Sequence, residues 1–249
     1  MDESQLFVKT GPASSLDMFE AEAAGLEELA SADVIKVPRV HDVGLRDGGA
    51  FIAIEKLAFA PVRREDERKL GEQIAAMHRV VRDRFGWHRD NTCGPTPQIN
   101  TLHDDWAAFF SECRIGFQLD LAARNGYDLG AKGQKLLQRI PRLLEGHRPE
   151  ASLLHGDLWG GNWANTDEGP AIFDPAVYYG DRETDLAMTR LFGGFGRGFY
   201  AAYEEAWPLA PGHERRNDLY QLYHVLNHLN LFGSGYLRQS TGLIERLLR

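Results

Sequence analysis

Asp157 and Asn162 stand five residues apart, and Asp174 follows twelve residues further on. They belong to the stretches His155-Gly-Asp-Leu-Trp-Gly-Gly-Asn162 and Phe173-Asp174-Pro175. One carboxylate can orient and deprotonate an attacking hydroxyl. An amide oxygen and a second carboxylate are hard ligands that can hold Mg²⁺ on nucleotide phosphates. The set suits phosphoryl transfer, with Asp157 as base and Asn162 and Asp174 as metal ligands. The plain alternative is a polar hairpin whose Asp and Asn cap turns. His155, the glycines and the second Asp in frame weigh against it.

These residues need elements to bring them together. Asn162-Trp163-Ala164 and Ala171-Ile172-Phe173 read as short strands around Asp167-Glu168-Gly169, which has a hairpin-turn composition. That hairpin returns Asp174 to Asn162, with Asp157 on the preceding loop facing the same space. Near the start, Gln5-Leu-Phe-Val-Lys-Thr10 alternates like a strand. Its Lys9 is either a phosphate contact or an exposed strand lysine. Residues 17–30 read as a helix capped by Asp17 with Glu20 three residues on, its apolar stripe being Phe19, Ala23, Leu26 and Ala30. Glu22 falls on the flank of that stripe, where a carboxylate needs a partner, and Lys9 is the candidate.

Residues 37–40 and 51–57 read as strands around the turn Asp47-Gly-Gly49. Residues 65–85, 106–125, 131–145 and 219–237 read as helices, and a further helix starts at Thr184 or Asp185. The last of the four sets His224, Asn227, His228 and Asn230 among apolar residues, so this polar face must be hydrogen-bonded or line a pocket. Between them, residues 86–100 form a loop rich in Pro, Gly and Asn.

The whole chain has 249 residues, a net charge of −8, 43% hydrophobic and 26% charged residues, the balance of a soluble globular protein. The acidic balance argues against a general nucleic-acid binder. Cys93 and Cys113 read as free thiols of a cytoplasmic protein, without a disulfide framework or metal cluster. Residues 1–15 are polar and mixed, unlike a signal peptide, and no apolar run has the length of a membrane span. His88 and His103 lack partners at zinc-ligand spacing.

The Asp, Asn, Asp spacing resembles the protein-kinase pattern, but His-Gly-Asp in place of His-Arg-Asp, and Pro175 after the last Asp, point to the small-molecule kinases that share that fold. The longer stretches LLHGDLWGGNW, FDPAVYYGDRETDLAMTRLFGGF, GWHRDNTCGPTPQIN and YQLYHVLNHLNLFGSGY, with Met18-Phe-Glu-Ala-Glu22, resemble the fructosamine kinase (ketosamine 3-kinase) family. The resemblance implies an α+β, protein-kinase-like two-lobe fold, with a partial N-lobe over residues 1–57 and a helical C-lobe over 58–249. It implies ATP and Mg²⁺ as cofactors, Lys9 paired with Glu22 at the phosphates, and Glu55, Lys56 and Leu57 as the hinge at the adenine.

By the same resemblance, the 86–100 loop lies beside the acceptor, with Trp87, Asn91 and Gln98 as candidate contacts, or else is a packed connection. Trp159 either stacks on a sugar-like substrate or packs the loop. Asp181 and Glu183 are substrate contacts or solvated charges, while His155 and Asp185 support the catalytic loop. The implied activity is transfer of the ATP γ-phosphoryl group to the 3-hydroxyl of a small or protein-bound ketosamine, in protein deglycation repair. Aminoglycoside- or choline-type kinases are the alternative with the same site. The family's two strands and glycine-rich loop precede the lysine strand. Here eight residues precede Lys9, none of them glycine, so the expectation is a truncated N-lobe sheet with weak nucleotide binding, and a remnant without turnover is the second alternative.

Overall fold

The computed structural model describes residues 5–249, so the first four residues of the expected N-lobe lie outside it. The chain opens with β1 (Leu6–Pro12), α1 (Leu16–Ser31), β2 (Val40–Arg46) and β3 (Gly49–Glu55). The strands form an antiparallel sheet in the order β1-β3-β2. β3 takes the centre because Phe51, Ile52, Ala53 and Ile54 form a continuous apolar run, and all four are buried. Asp47 and Gly48 both have positive φ, 52° and 81°, the backbone of a two-residue hairpin turn.

α1 packs on β2 and β3. Its inward residues are Phe19, Ala23, Leu26 and Leu29, whereas Ala30, expected in that stripe, is exposed. The helix begins at Leu16, so Asp17 sits inside the first turn and makes no cap. Residues 37–39 do not join the sheet, which starts at Val40. Pro38 has no N–H to give a ladder.

β4 (Phe59–Ala60), α2 (Arg64–His78) and β5 (Val81–Arg82) come next. The apolar spacing predicts helix to residue 85, yet the helix stops at His78. Val81 instead pairs with Ser152, and Leu153 N–H donates to Val80 O at 2.8 Å. Strand pairing outweighs the local period there. A hairpin of β6 (Asn91–Cys93) and β7 (Thr96–Gln98) occupies the middle of the 86–100 loop. Residues 106–124 are continuously helical: α3 (Trp106–Phe109), a π-helical stretch (Phe110–Gly116) and α4 (Phe117–Arg124). α5 (Gly130–Leu143) follows.

The remaining elements are β8 (Ala151–Leu154), β9 (Trp163–Thr166), β10 (Gly169–Ile172), β11 (Tyr178–Gly180), α6 (Glu183–Leu191), α7 (Arg197–Ala206), α8 (His213–Phe232) and α9 (Leu237–Leu247). α8 is the core of this half, with α4, α6 and α9 packed around it. It starts six residues before the expected Leu219 and ends at Phe232, where Gly233 takes φ 87°. α2 and α7 pack face to face, and a Cβ on Gly71 would lie 2.3 Å from Phe199 O, so only glycine permits their approach. Two three-stranded sheets, β10-β9-β4 and β11-β8-β5, each pack against α2. The loop from His155 to Asn162 runs from β8 to β9, and Asp174 follows β10. Among the described residues no helix is long and apolar enough to cross a membrane.

Candidate active site

The 155–162 loop is held by Asp185 near the start of α6. Its Oδ2 accepts from His155 N–H at 2.8 Å and its Oδ1 from Gly156 N–H at 2.9 Å. His78 Nε2 lies 3.1 Å from the same carboxylate, and His78 Nδ1 lies 2.8 Å from the Tyr203 hydroxyl. Burial alone would raise the Asp185 carboxyl, but His78, with the Gly156 N–H and the nearby His155, holds it below its ordinary range. His155 is the second brace. Its Nε2 is 3.0 Å from Phe173 O, an acceptor only, while Asp157 N–H donates to its Nδ1 at 3.3 Å. The ring is therefore the neutral tautomer protonated at Nε2, and burial lowers its pKa accordingly.

Gly156 sits at φ 80°, and a Cβ there would lie 1.9 Å from Ala176 O. Gly156→Ala is expected to destabilise the fold by about 2 kcal/mol or more, since left-handed backbone strain alone costs ~1–2 kcal/mol. Denaturant unfolding measures this, and an unchanged midpoint would show that the loop shifts freely.

Asn162 gathers the site. Its Nδ2 donates to Asp157 O at 2.9 Å and lies 3.4 Å from Asp157 Oδ2 and 3.3 Å from Asp174 O. Phe173 N–H donates to Asn162 O at 3.1 Å, which closes the hairpin. Asp174 has φ 56°, a left-handed backbone that turns its carboxylate away from β10. Asp174 Oδ1 meets Lys9 Nζ at 2.6 Å, and Lys9 Nζ meets Glu22 Oε1 at 2.6 Å. Burial would lower the Lys9 pKa, but Glu22 and Asp174 together hold it above the usual lysine value. The structure thus brings Asp157, Asn162, Asp174, Lys9 and Glu22 together from four separate elements. Burial, reinforced by the Asp185 and Asp174 charges, pushes the Asp157 carboxyl up to about 7.

Glu55, Lys56 and Leu57 line an open cavity of about 510 Å³ with Gln5, Arg39 and His41. Glu55 accepts from Lys36 Nζ at 2.8 Å and from Arg39 N–H at 3.1 Å, and Lys56 N–H donates to Gln5 O at 2.9 Å.

Five candidate acceptor contacts have other work. Gln98 Nε2 donates to Ala176 O and Asn91 Nδ2 donates to Val177 O, at 2.9 and 2.8 Å. Tyr223 OH donates to Gln98 Oε1 at 2.7 Å. Both amides thus hold the segment after Asp174 and point no free group at a ligand. Trp87 is buried, with Nε1–H directed at Glu28 Oε2, 3.3 Å away. Asp181 is only 1% exposed and accepts from Tyr220 OH, with His147 Nε2 2.6 Å away. Glu183, the other acidic candidate beside it, forms a buried two-bond pair with Arg216 at 2.7 Å each. The run that resembles solvated charge is interior structure.

Trp159 is 40% exposed and borders a cavity of about 390 Å³ that reaches Asp157. Met188, Phe192, His228, Phe232 and Tyr236 wall it, drawn from α6, α8 and the turn after Gly233. Asn227, which also lines it, and His228 carry a sequence signal as polar residues on an apolar helix. On the same face, Asn227 Nδ2 donates to Cys93 O at 3.1 Å, and Asn230 Nδ2 donates to Gln118 Oε1 at 2.7 Å. Cys93 and Cys113 are free and buried.

An antiparallel sheet whose Lys9 pairs with Glu22 on α1, joined to a helical body carrying the Asp, Asn, Asp loop, defines a protein-kinase-like α+β fold of the phosphotransferase type. The crystal structure of an aminoglycoside phosphotransferase, APH(4)-Ia, in complex with ADP and hygromycin B, aligns with a TM-score of 0.64 over 98% of this chain and 86% of that one. At 16% identity that likeness speaks for the fold alone. The chain belongs to the fructosamine kinase family, whose profile matches residues 1–249. A protein-ribulosamine 3-kinase, chloroplastic, of Oryza sativa subsp. japonica is 44% identical over 100% of this chain and 74% of its own length. A Haemophilus somnus 129PT protein whose crystal structure carries a fructosamine-3-kinase name has a TM-score of 0.94 at 36% identity, over 100% of this chain and 85% of that one.

Proposed function

We propose that this member of the fructosamine kinase family moves the γ-phosphoryl group of ATP to the 3-hydroxyl of a ketosamine, the step that opens deglycation repair. The convergence of Asp157, Asn162 and Asp174 with the Lys9–Glu22 pair carries the reading, together with the ribulosamine kinase name of a relative 44% identical. In this reading residues 1–57 form the smaller lobe over the nucleotide and 58–249 the larger lobe with the acceptor. The cavity at Glu55, Lys56 and Leu57 suits the adenine.

Asp157 accepts the hydroxyl proton as the new oxygen–phosphorus bond forms and the bond to the departing ADP oxygen breaks. A pKa near 7 lets the carboxylate hold that proton at neutral pH and release it afterwards. Lys9 positions the phosphates and Glu22 fixes Lys9. Asn162 spends its amide nitrogen on the loop, which leaves its amide oxygen to serve with the Asp174 carboxylate as a metal ligand. That all-oxygen pair fits Mg²⁺ and offers no soft ligand. Held there, Mg²⁺ would neutralise charge on the phosphates. Trp159 and the apolar walls beside Asp157 exclude water and receive the acceptor. Two buried thiols suit a reducing compartment, so we place the protein in the cytoplasm.

Nucleotide titration calorimetry tests the metal half of this account. ATP affinity is expected to fall with EDTA and return with Mg²⁺, and Asp174→Ala is expected to abolish the Mg²⁺ response. ATP binding that ignores both metal and Asp174→Ala would refute these ligands.

A further inference from the structure

The cavity beside Asp157 has a back wall of different chemistry. Cys93 from β6, Asp157 from the loop and His224 from α8 place a sulfur, a carboxylate oxygen and an imidazole nitrogen within 4.8 Å of one another. Cys93 is 2% exposed and in no disulfide, and His224 is 3% exposed. The Nδ1 atom of His224 is buried and has no hydrogen-bond partner. A buried polar atom without a partner costs free energy, and it is the second sign that this corner is built to receive something. Thiolate, imidazole and carboxylate together are ligands for a thiophilic divalent cation, unlike the all-oxygen pair of Asn162 and Asp174. Zinc bonds run about 2.0–2.3 Å, so one ion can reach three atoms grouped this closely. The cavity of about 390 Å³ touches both Cys93 and Asp157, so it supplies the entry path and a fourth, open position.

We infer that Cys93, Asp157 and His224 form a site for a thiophilic divalent cation such as Zn²⁺, and that its occupancy switches the enzyme off by taking the Asp157 carboxylate. The inhibitory consequence rests on Asp157 being the base; the binding does not. On binding, the Cys93 thiol gives its proton to solvent as the sulfur–metal bond forms. The cation competes with the acceptor at Asp157, and added Mg²⁺ does not displace it because Mg²⁺ does not favour sulfur.

Cobalt(II) is the spectroscopic probe, titrated into the whole chain after prior reduction. One equivalent is expected to produce a thiolate-to-cobalt charge-transfer band that Zn²⁺ removes and Mg²⁺ does not. Cys93→Ser abolishes the band and Cys113→Ser retains it. His224→Gln weakens affinity by a factor on the order of 10–100, the loss known even for outer partners of a metal. Absence of the band in the unaltered chain, its survival in Cys93→Ser, or its loss in Cys113→Ser overturns the site. If Cys93→Ser does not fold, zinc X-ray absorption on the unaltered chain and on Cys113→Ser decides: one sulfur in the coordination sphere of both supports the site, and a sphere of only nitrogen and oxygen overturns it. None of these readouts needs turnover, so they stand or fall separately from the proposed kinase activity. Where turnover is measured, Zn²⁺ inhibition is expected to be competitive with the ketosamine, and inhibition competitive only with MgATP would refute the switch.

Discussion

Asp157→Asn gives a folded protein whose turnover falls by about 10²–10⁴-fold, the usual loss when a general base is removed. The amide has the size of the carboxylate and can still meet Asn162 Nδ2, 3.4 Å away in the parent, so the loop keeps its shape. Acceptor and nucleotide affinities change far less than the rate. The parent's acid limb in kcat/KM, expected near pH 7 from the raised Asp157 pKa, disappears in the variant. The stability effect has the opposite sign. The folded protein holds the Asp157 proton more tightly than the unfolded chain. Keeping the charged form buried therefore costs stability as pH rises from the ordinary carboxyl range through about 7. Above that pH the variant is at least as stable as the parent. Near-parental turnover in Asp157→Asn would remove the base from this residue.

Asp185→Ala is expected to cost about 3–5 kcal/mol of stability, the range for removing one partner from a buried charged network. The substitution leaves His155 N–H, Gly156 N–H and His78 Nε2 without their shared partner, all in the interior. For a chain of this size that amounts to roughly 10 °C in melting temperature. Turnover falls as well, because the loop that aims Asp157 is released, although Asp185 touches no substrate in this account. Asp185→Asn retains an acceptor for one backbone donor and loses less. Calorimetry and kinetics on both variants check the pair. A melting temperature within a degree or two of the parent for Asp185→Ala would show that the loop does not depend on this carboxylate.

The site's centre was legible because its signals are local. The hairpin turn at 167–169 returns Asp174 to Asn162 over a dozen residues, and short-range turn chemistry fixes that path. Glu22 was legible as a carboxylate on the flank of an apolar stripe, where burial demands a cation, and Lys9 was the strand lysine able to answer. What was not legible depends on partners far along the chain. Gln98 and Asn91 read as polar groups beside a pocket, but their donors go to carbonyls 78 and 86 residues away. Asp181 and Glu183 read as a solvated run because Tyr220, His147 and Arg216, which neutralise them, carry no spacing signal. The end of α2 was misplaced for the same reason, since Val81 answers to β8 rather than to its own helical period. The aromatic cavity beside Asp157 combines residues from the β6–β7 hairpin, the 155–162 loop, the end of α6, α8 and the turn after Gly233, segments far apart along the chain.

The most direct measurement is ATP consumption by this chain with Mg²⁺ and a fructosyl-lysine ketosamine, with an aminoglycoside, and with no acceptor. ADP formation is expected to rise with the ketosamine well above the acceptor-free rate, with the aminoglycoside at background. ADP formation that ignores the ketosamine, or responds only to the aminoglycoside, would contradict it.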